Sequence, residues 1–255
     1  MHLVQLSIGP QPPVEIADGL AGLAGLGGLA GLANPASPVS LVDRHTATDA
    51  AGVDAALTAL ETRGEGLGAD RVRLVLDADL AGLNLALHRM LRRGLLETLE
   101  TAVLPRRPVP YLSRLGLPAD LAGQLRVAAE APVRLVGVVK DDSGGVCVDQ
   151  ASLVPWPDPP DGSPGSRWWL RAVVDDHRLA DGAARELRLR RLGPAELEAT
   201  VRLGGLRRRT HRGRSLQLAC DPALVVADGL SRERPRSKRT FWSEPKLWWL
   251  ALPER

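Results

Sequence analysis

Arg71-Val72-Arg73-Leu74-Val75-Leu76-Asp77-Ala78-Asp79-Leu80-Ala81-Gly82-Leu83-Asn84 is the stretch that decides the fold. Its first six residues read as a buried strand, and Asp77–Gly82 reads as a loop. Asn84–Glu100 then has the composition of a strong helix, with Leu83, Leu87, Met90 and Leu91 on one side. Thr101–Leu104 is apolar and short enough for the next strand. Strand, loop, helix and strand form a βαβ unit, which implies a parallel sheet because a same-direction return needs a crossover. Upstream, Val39–Val42 is a short apolar run, and Ala50–Arg63 spaces Val53, Ala56, Leu57 and Leu60 as a helix does.

Beyond Pro132 the pattern changes to strands and turns. Val133–Val139 and Val146–Val148 flank the turn-rich Asp141-Asp142-Ser143-Gly144-Gly145. Val154–Ser166 is a Pro/Gly/Asp linker. Trp168–Val174, Glu186–Leu192, Glu198–Leu203, Ser215–Cys220, Leu224–Ala227 and Leu247–Leu252 read as strands of a mostly antiparallel half. The reading is two domains: α/β over residues 1–132, then a β-rich sandwich over 133–255.

Composition supports a folded chain. Hydrophobic residues make up 44% and charged residues 25% of the 255, which argues against wholesale disorder. All six Trp lie from Trp156 onward, so the two halves build different cores. Cys147 and Cys220 stand far apart in apolar alternating stretches and read as buried thiols in a reducing compartment. The start Met1-His2-Leu3-Val4 lacks the basic opening of a signal peptide. Gly19–Ala33 is uncharged but shorter than the ~20 residues a membrane helix needs. Its Gly-Leu-Ala triplets drift around a helix instead of forming one stripe, and its glycines weaken helix formation. It reads as a low-complexity insertion. A cytoplasmic location follows from these features, with contact at the inner face of the membrane as the further option.

The order of these pieces resembles the diacylglycerol kinase-like lipid kinases. The resemblance rests on Asn34-Pro35-Ala36-Ser37, on Leu74–Asn84 leading into a helix, and on Tyr111-Leu112-Ser113-Arg114-Leu115-Gly116-Leu117-Pro118. It continues with the hairpin at Asp141–Gly145, with Val226-Ala227-Asp228-Gly229, and with Arg239-Thr240-Phe241-Trp242 through Pro253. It implies a Rossmann-like parallel sheet of the NAD kinase and diacylglycerol kinase type, then the β-rich lipid-kinase domain. It also implies ATP and Mg²⁺ as cofactors if the chain is active, none otherwise, and diacylglycerol or another lipid alcohol as substrate.

Under the resemblance, Asn34, Ser37, Asp77, Asp79, Gly82 and Asn84 would face nucleotide, with Asp79 as the metal ligand. Asp228 would serve as general base near the lipid hydroxyl, with Glu233 close by in sequence. The family's motifs are altered here. Glycine loops bind phosphate because backbone N–H groups can approach the anion. An ungapped match instead puts Ala78, Asp79, Leu80, Ala81 and Gly82 where the family has Gly, Gly, Asp, Gly and Thr. Leu80 cannot supply the oxygen that magnesium requires. A one-residue slip restores Asp79 at that position, and a structural turn with Asp79 capping the helix is the other reading. Arg106-Arg107-Pro108-Val109-Pro110 replaces the family's second phosphate loop, and proline removes N–H donors. Arg106 and Arg107 can meet phosphate as cations or stand as a solvated pair.

Two further features bear on possible partners. Arg207–Arg214, with Arg208 and Arg209, can dock anionic lipid headgroups or form a solvated loop between strands. It lacks the aromatic interleaving of a nucleic-acid module, so no nucleic-acid partner is expected. The five histidines show no metal-ligand spacing. The expected function is therefore an ATP-dependent lipid kinase, impaired or inactive through its substituted loops, or a non-catalytic relative that binds lipid, nucleotide or a protein.

Overall fold

The computed structural model describes residues 1–10, 40–66, 72–156, 167–204, 207–231 and 234–254. Asn34, Ser37, Glu233 and the Gly19–Ala33 run lie outside them. The chain divides into two units, Met1–Leu135 with Trp248–Arg255, and Val136–Leu247.

The first unit opens with β1 (His2–Ile8) and β2 (Ser40–Ala47), followed by α1 (Ala50–Gly66). Next come β3 (Val72–Ala78), α2 (Leu80–Arg92), β4 (Glu100–Pro105), α3 (Pro110–Arg114) and α4 (Leu121–Glu130). The strands lie in the order β2-β1-β3-β4 and every pairing is parallel. Near-continuous apolar runs make this possible: four of the seven residues of β1 and the whole of Leu74–Leu76 are hydrophobic and almost wholly buried, as expected of strands covered by helices. α2 buries Leu83, Leu87 and Met90 on its inner face. It is shorter than the sequence suggests. Arg93 caps its last carbonyls, and Gly94 follows at φ +71, a left-handed conformation that ends the helix.

Arg73 is buried although it sits in a strand. Its guanidinium donates to the carbonyls of Ala128 (2.8 Å) and Ala131 (2.9 Å), satisfying the exposed end of α4. Residues Trp248–Arg255 join this unit through specific bonds. Trp248 Nε1 donates to Thr101 Oγ1 (2.6 Å), whose hydroxyl donates to the Trp249 carbonyl (2.7 Å), and Leu250 pairs in parallel with Thr101. The first unit is therefore built from two separate stretches of the chain.

β5 (Val133–Asp141) leads into the second unit. There follow β6 (Val146–Cys147), β7 (Gln150–Pro155), β8 (Trp168–Val174), β9 (His177–Ala184), β10 (Glu186–Gly193), β11 (Glu196–Arg202), β12 (Arg208–Gly213), β13 (Ser215–Ala227), β14 (Leu230–Ser231) and β15 (Arg236–Ala251). β12-β11-β10-β7-β13-β15 is one antiparallel run, and the β8–β9 hairpin pairs with the first half of β13. Alternation is regular: Trp168, Leu170, Ala172 and Val174 are buried while Trp169 and Arg171 face outward.

The arginine run is an edge strand instead of a loop. Its backbone pairs with β11 from Arg202↔Arg208 to Leu197↔Gly213, and Arg212 Nε meets Glu198 at 3.1 Å across the pair. Charged side chains at a sheet edge also discourage pairing with another chain. Among the described residues, no helix is long and apolar enough to cross a membrane.

Candidate functional site

The carboxyl ends of parallel strands are where α/β folds place ligands, because loops and helix N-termini converge there. Here the ends of β1, β3 and β4 bring together Ser7, Asp77 and Arg106. Register sets Ser7 beside Asp77, and Asp77 beside Leu104 two residues before Arg106. Asp77 is fully buried. Its Oδ2 accepts the Ser7 hydroxyl at 2.8 Å, and Ser7 Oγ accepts Gln5 Nε2 at 3.0 Å. Arg106 Nε donates to Asp77 Oδ1 (2.9 Å) and Nη2 to Oδ2 (3.3 Å), so the guanidinium covers the carboxylate with both prongs. The Arg106 side chain is only 9% exposed. Gly9, at φ +120, turns the chain out of β1 beside that guanidinium.

Of the two readings of the junction after β3, a phosphate loop or a structural turn capped by Asp79, the geometry is that of the capped turn. β3 runs through Asp77 to Ala78, and α2 starts at Leu80, so Asp79 alone separates strand from helix. Asp79 is the N-cap: its Oδ1 accepts the Gly82 amide at 2.8 Å, and its carbonyl accepts the Leu83 amide at 2.9 Å. The helix N-terminal donors nearest the strand end are therefore partly used by the chain itself. Gly82 is small for packing. A Cβ there would lie 3.1 Å from Ile8 Cγ2 and 3.2 Å from Ala78 Cβ. Asn84 is fully buried on α2.

Arg106 and Arg107 part ways. Arg107 is exposed, although both arginines line one small hollow of about 80 Å³ with Pro105, Pro108, Ser113 and Gln124. Among the described residues, no three or more His, Cys, Asp or Glu side chains gather into a group that could hold a metal ion.

Asp228 belongs to the second unit. It and Gly229 have φ +54 and +86, the positive φ pair of a two-residue hairpin between β13 and β14. The Asp228 carboxylate turns inward and is almost wholly buried. Oδ2 accepts the Val148 amide at 2.6 Å, and Oδ1 accepts the amides of Asp149 (2.9 Å) and Gln150 (3.0 Å). Cys147 Sγ lies 3.8 Å from Oδ1. Burial pushes the Cys147 thiol well above its usual range, and the nearby carboxylates of Asp228 and Asp149 push it further. Arg208 and Arg209 are exposed on the edge strand β12.

Sequence reasoning missed Gln5 and Ser7. Their signal is present in His2-Leu3-Val4-Gln5-Leu6-Ser7-Ile8-Gly9: two buried polar side chains in an otherwise apolar strand, ending at a glycine.

Neither a protein-family model nor a curated protein sequence matches the chain. Solved structures do. A diacylglycerol kinase from Bacillus anthracis str. Sterne aligns over 98% of this chain and 96% of its own, at 11% identity and a TM-score of 0.63. An NAD kinase from Archaeoglobus fulgidus, solved in complex with ATP, aligns over 100% of this chain and 94% of its own, at 11% identity and a TM-score of 0.57.

Proposed function

We infer the function from the fold, which is the one shared by these diacylglycerol kinase-like and NAD kinase structures, a parallel α/β sheet followed by largely antiparallel strands. We propose that the chain is a lipid-kinase-fold protein whose phosphoryl transfer is impaired or lost while recognition of a lipid alcohol, such as diacylglycerol, persists. One observation carries the loss of transfer: the fully buried Asp77 carboxylate at the strand ends is neutralised by Arg106, itself largely shielded from solvent.

Mg²⁺–ATP binding needs oxygen ligands for the metal and unspent N–H donors for the phosphates. The residues present suit neither. Asp77 holds a guanidinium, Asp79 caps α2, Leu80 is apolar, and proline flanks Val109 on both sides. Asp228 is likewise engaged by backbone amides, which fits a turn-locking role better than proton abstraction. No transfer step is therefore assigned to the chain. Lipid alcohol binding rests on the likeness of fold, and location at the cytoplasmic face of a membrane follows from that reading.

The test is a radiolabel transfer assay on diacylglycerol with Mg²⁺–ATP, beside a binding assay with short-chain diacylglycerol. Binding without transfer supports the proposal. Transfer that Asp228→Ala abolishes in a folded variant would restore the kinase reading.

A further inference from the structure

Of the six tryptophans, Trp168 and Trp248 are buried and Trp242 and Trp249 half-buried, whereas Trp156 and Trp169 are 49% and 44% exposed. Both belong to the second unit, and both are fixed to the kink of β13. Trp156 N donates to the Pro222 carbonyl at 2.7 Å, and Trp169 N donates to Asp221 Oδ2 at 2.7 Å. Adjacent β13 residues thus hold the backbones of the two tryptophans at the register shift of β13, between Ala219 and Ala223. Trp156 continues the outward face of β7, after Ser152 and Val154, whose intervening neighbour Leu153 is buried.

Cations flank this kink. A groove of about 320 Å³ runs beside Pro155 and is lined by Ser152, Arg185, Glu186, Arg188 and Arg202. Arg185 Nε is buried there without a hydrogen-bond partner. Glu186 pairs with Arg188, so the groove is lined by three guanidinium groups and one carboxylate. On the other side of the kink, Arg171 is exposed on β8, loosely paired with Asp181 at 3.9 Å, and Lys238 is exposed opposite Ala219.

We propose that this face docks on an anionic phospholipid bilayer, with Trp156 and Trp169 as interfacial anchors and the Arg185–Arg188–Arg202 groove receiving a headgroup phosphate. Indoles favour the headgroup layer because the ring is apolar and the N–H polar. Arginine matches phosphate oxygens with two donors. The inference deepens the lipid reading above by naming the surface through which the chain reaches its substrate. It prefers this face to the β12 arginines, which have no exposed aromatic anchor on their own strand and are tied in part to Glu198.

The test is flotation of the full chain with phosphatidylcholine vesicles with and without phosphatidylserine, read also by tryptophan emission. Wild type should bind the anionic vesicles, shift its emission to the blue, and release in high salt. W156A/W169A should weaken binding at least ~10-fold. Because both side chains are half-covered, R188E/R202E provides a second variant, expected to weaken binding roughly 5-fold or more per charge, with circular dichroism confirming the fold of each. Equal binding to neutral vesicles, no binding, or loss caused only by R208E/R209E would overturn the proposal. Vesicle failure with short-chain diacylglycerol binding intact would refute this surface alone; the reverse would refute the lipid-alcohol reading instead.

Discussion

The guanidinium of Arg106 meets the carboxylate of Asp77 through two nitrogens, at 2.9 and 3.3 Å, where β3 and β4 end. Asp77 is wholly buried, so removing the cation leaves a desolvated charge with only the Ser7 hydroxyl and its remaining neighbours to stabilise it. R106A should cost about 3–5 kcal/mol of stability in urea unfolding, and R106M combined with D77N should recover about half of that. An exposed, dispensable pair would instead give less than ~1 kcal/mol for R106A.

Asp79 and Gly82 are expected to be structural. D79A should lose about 1 kcal/mol through the missing cap, while D79S keeps most of it. G82A should destabilise by roughly 1–3 kcal/mol, because the new methyl would crowd Ile8 and Ala78. Thermal melts of the three variants, with and without Mg²⁺, check this. A melting shift on Mg²⁺ in wild type that D79S abolishes would contradict a purely capping role.

Asp228 presents the same choice between structure and chemistry. D228A removes the acceptor of three backbone amides and places alanine at φ +54, so it should cost roughly 2–4 kcal/mol. D228N tolerates that backbone and keeps one acceptor oxygen, so its cost should be clearly smaller. Paired urea titrations measure the difference.

Acid sensitivity should come from Asp141 and Asp175. At Asp141, burial raises the carboxyl pKa, but the Ser143 hydroxyl, the Gly145 and Ser143 amides and Arg239 outweigh it. At Asp175, burial is outweighed by the Arg214 amide and by the hydroxyl and amide of Ser215. Both therefore lie below the ordinary aspartate value of 3.8. A lowered folded-state value means that their stabilisation is present above 3.8 and is lost as pH falls through the folded values. The urea midpoint of wild type should fall on acidification below that value more steeply than that of D141N/D175N.

The fold was legible where pattern and pairing agree. Leu74–Leu76 and the helix after them have the apolar runs of a covered parallel sheet, and β8, β10 and β11 alternate as half-covered strands do. What escaped the sequence was set at a distance. Arg208–Gly213 looks like a solvated loop until β11 supplies its backbone partners. Arg106 looks solvated until β3 brings Asp77 beneath it. The return of Trp248–Arg255 to the first unit depends on Thr101, some 150 residues earlier in the chain. Of the site residues, Asp79 was readable as a cap because a cap is local; Ser7 and Gln5 were not, because their partners are not.

The central claim is that Arg106 and the Asp79 cap occupy the strand ends where a kinase would hold its nucleotide. Isothermal titration of Mg²⁺–ATP into the folded full chain tests it most directly. The account predicts no saturable heat for wild type. Saturable, Mg²⁺-dependent heat that D77N or D79A weakens without unfolding the chain would contradict it.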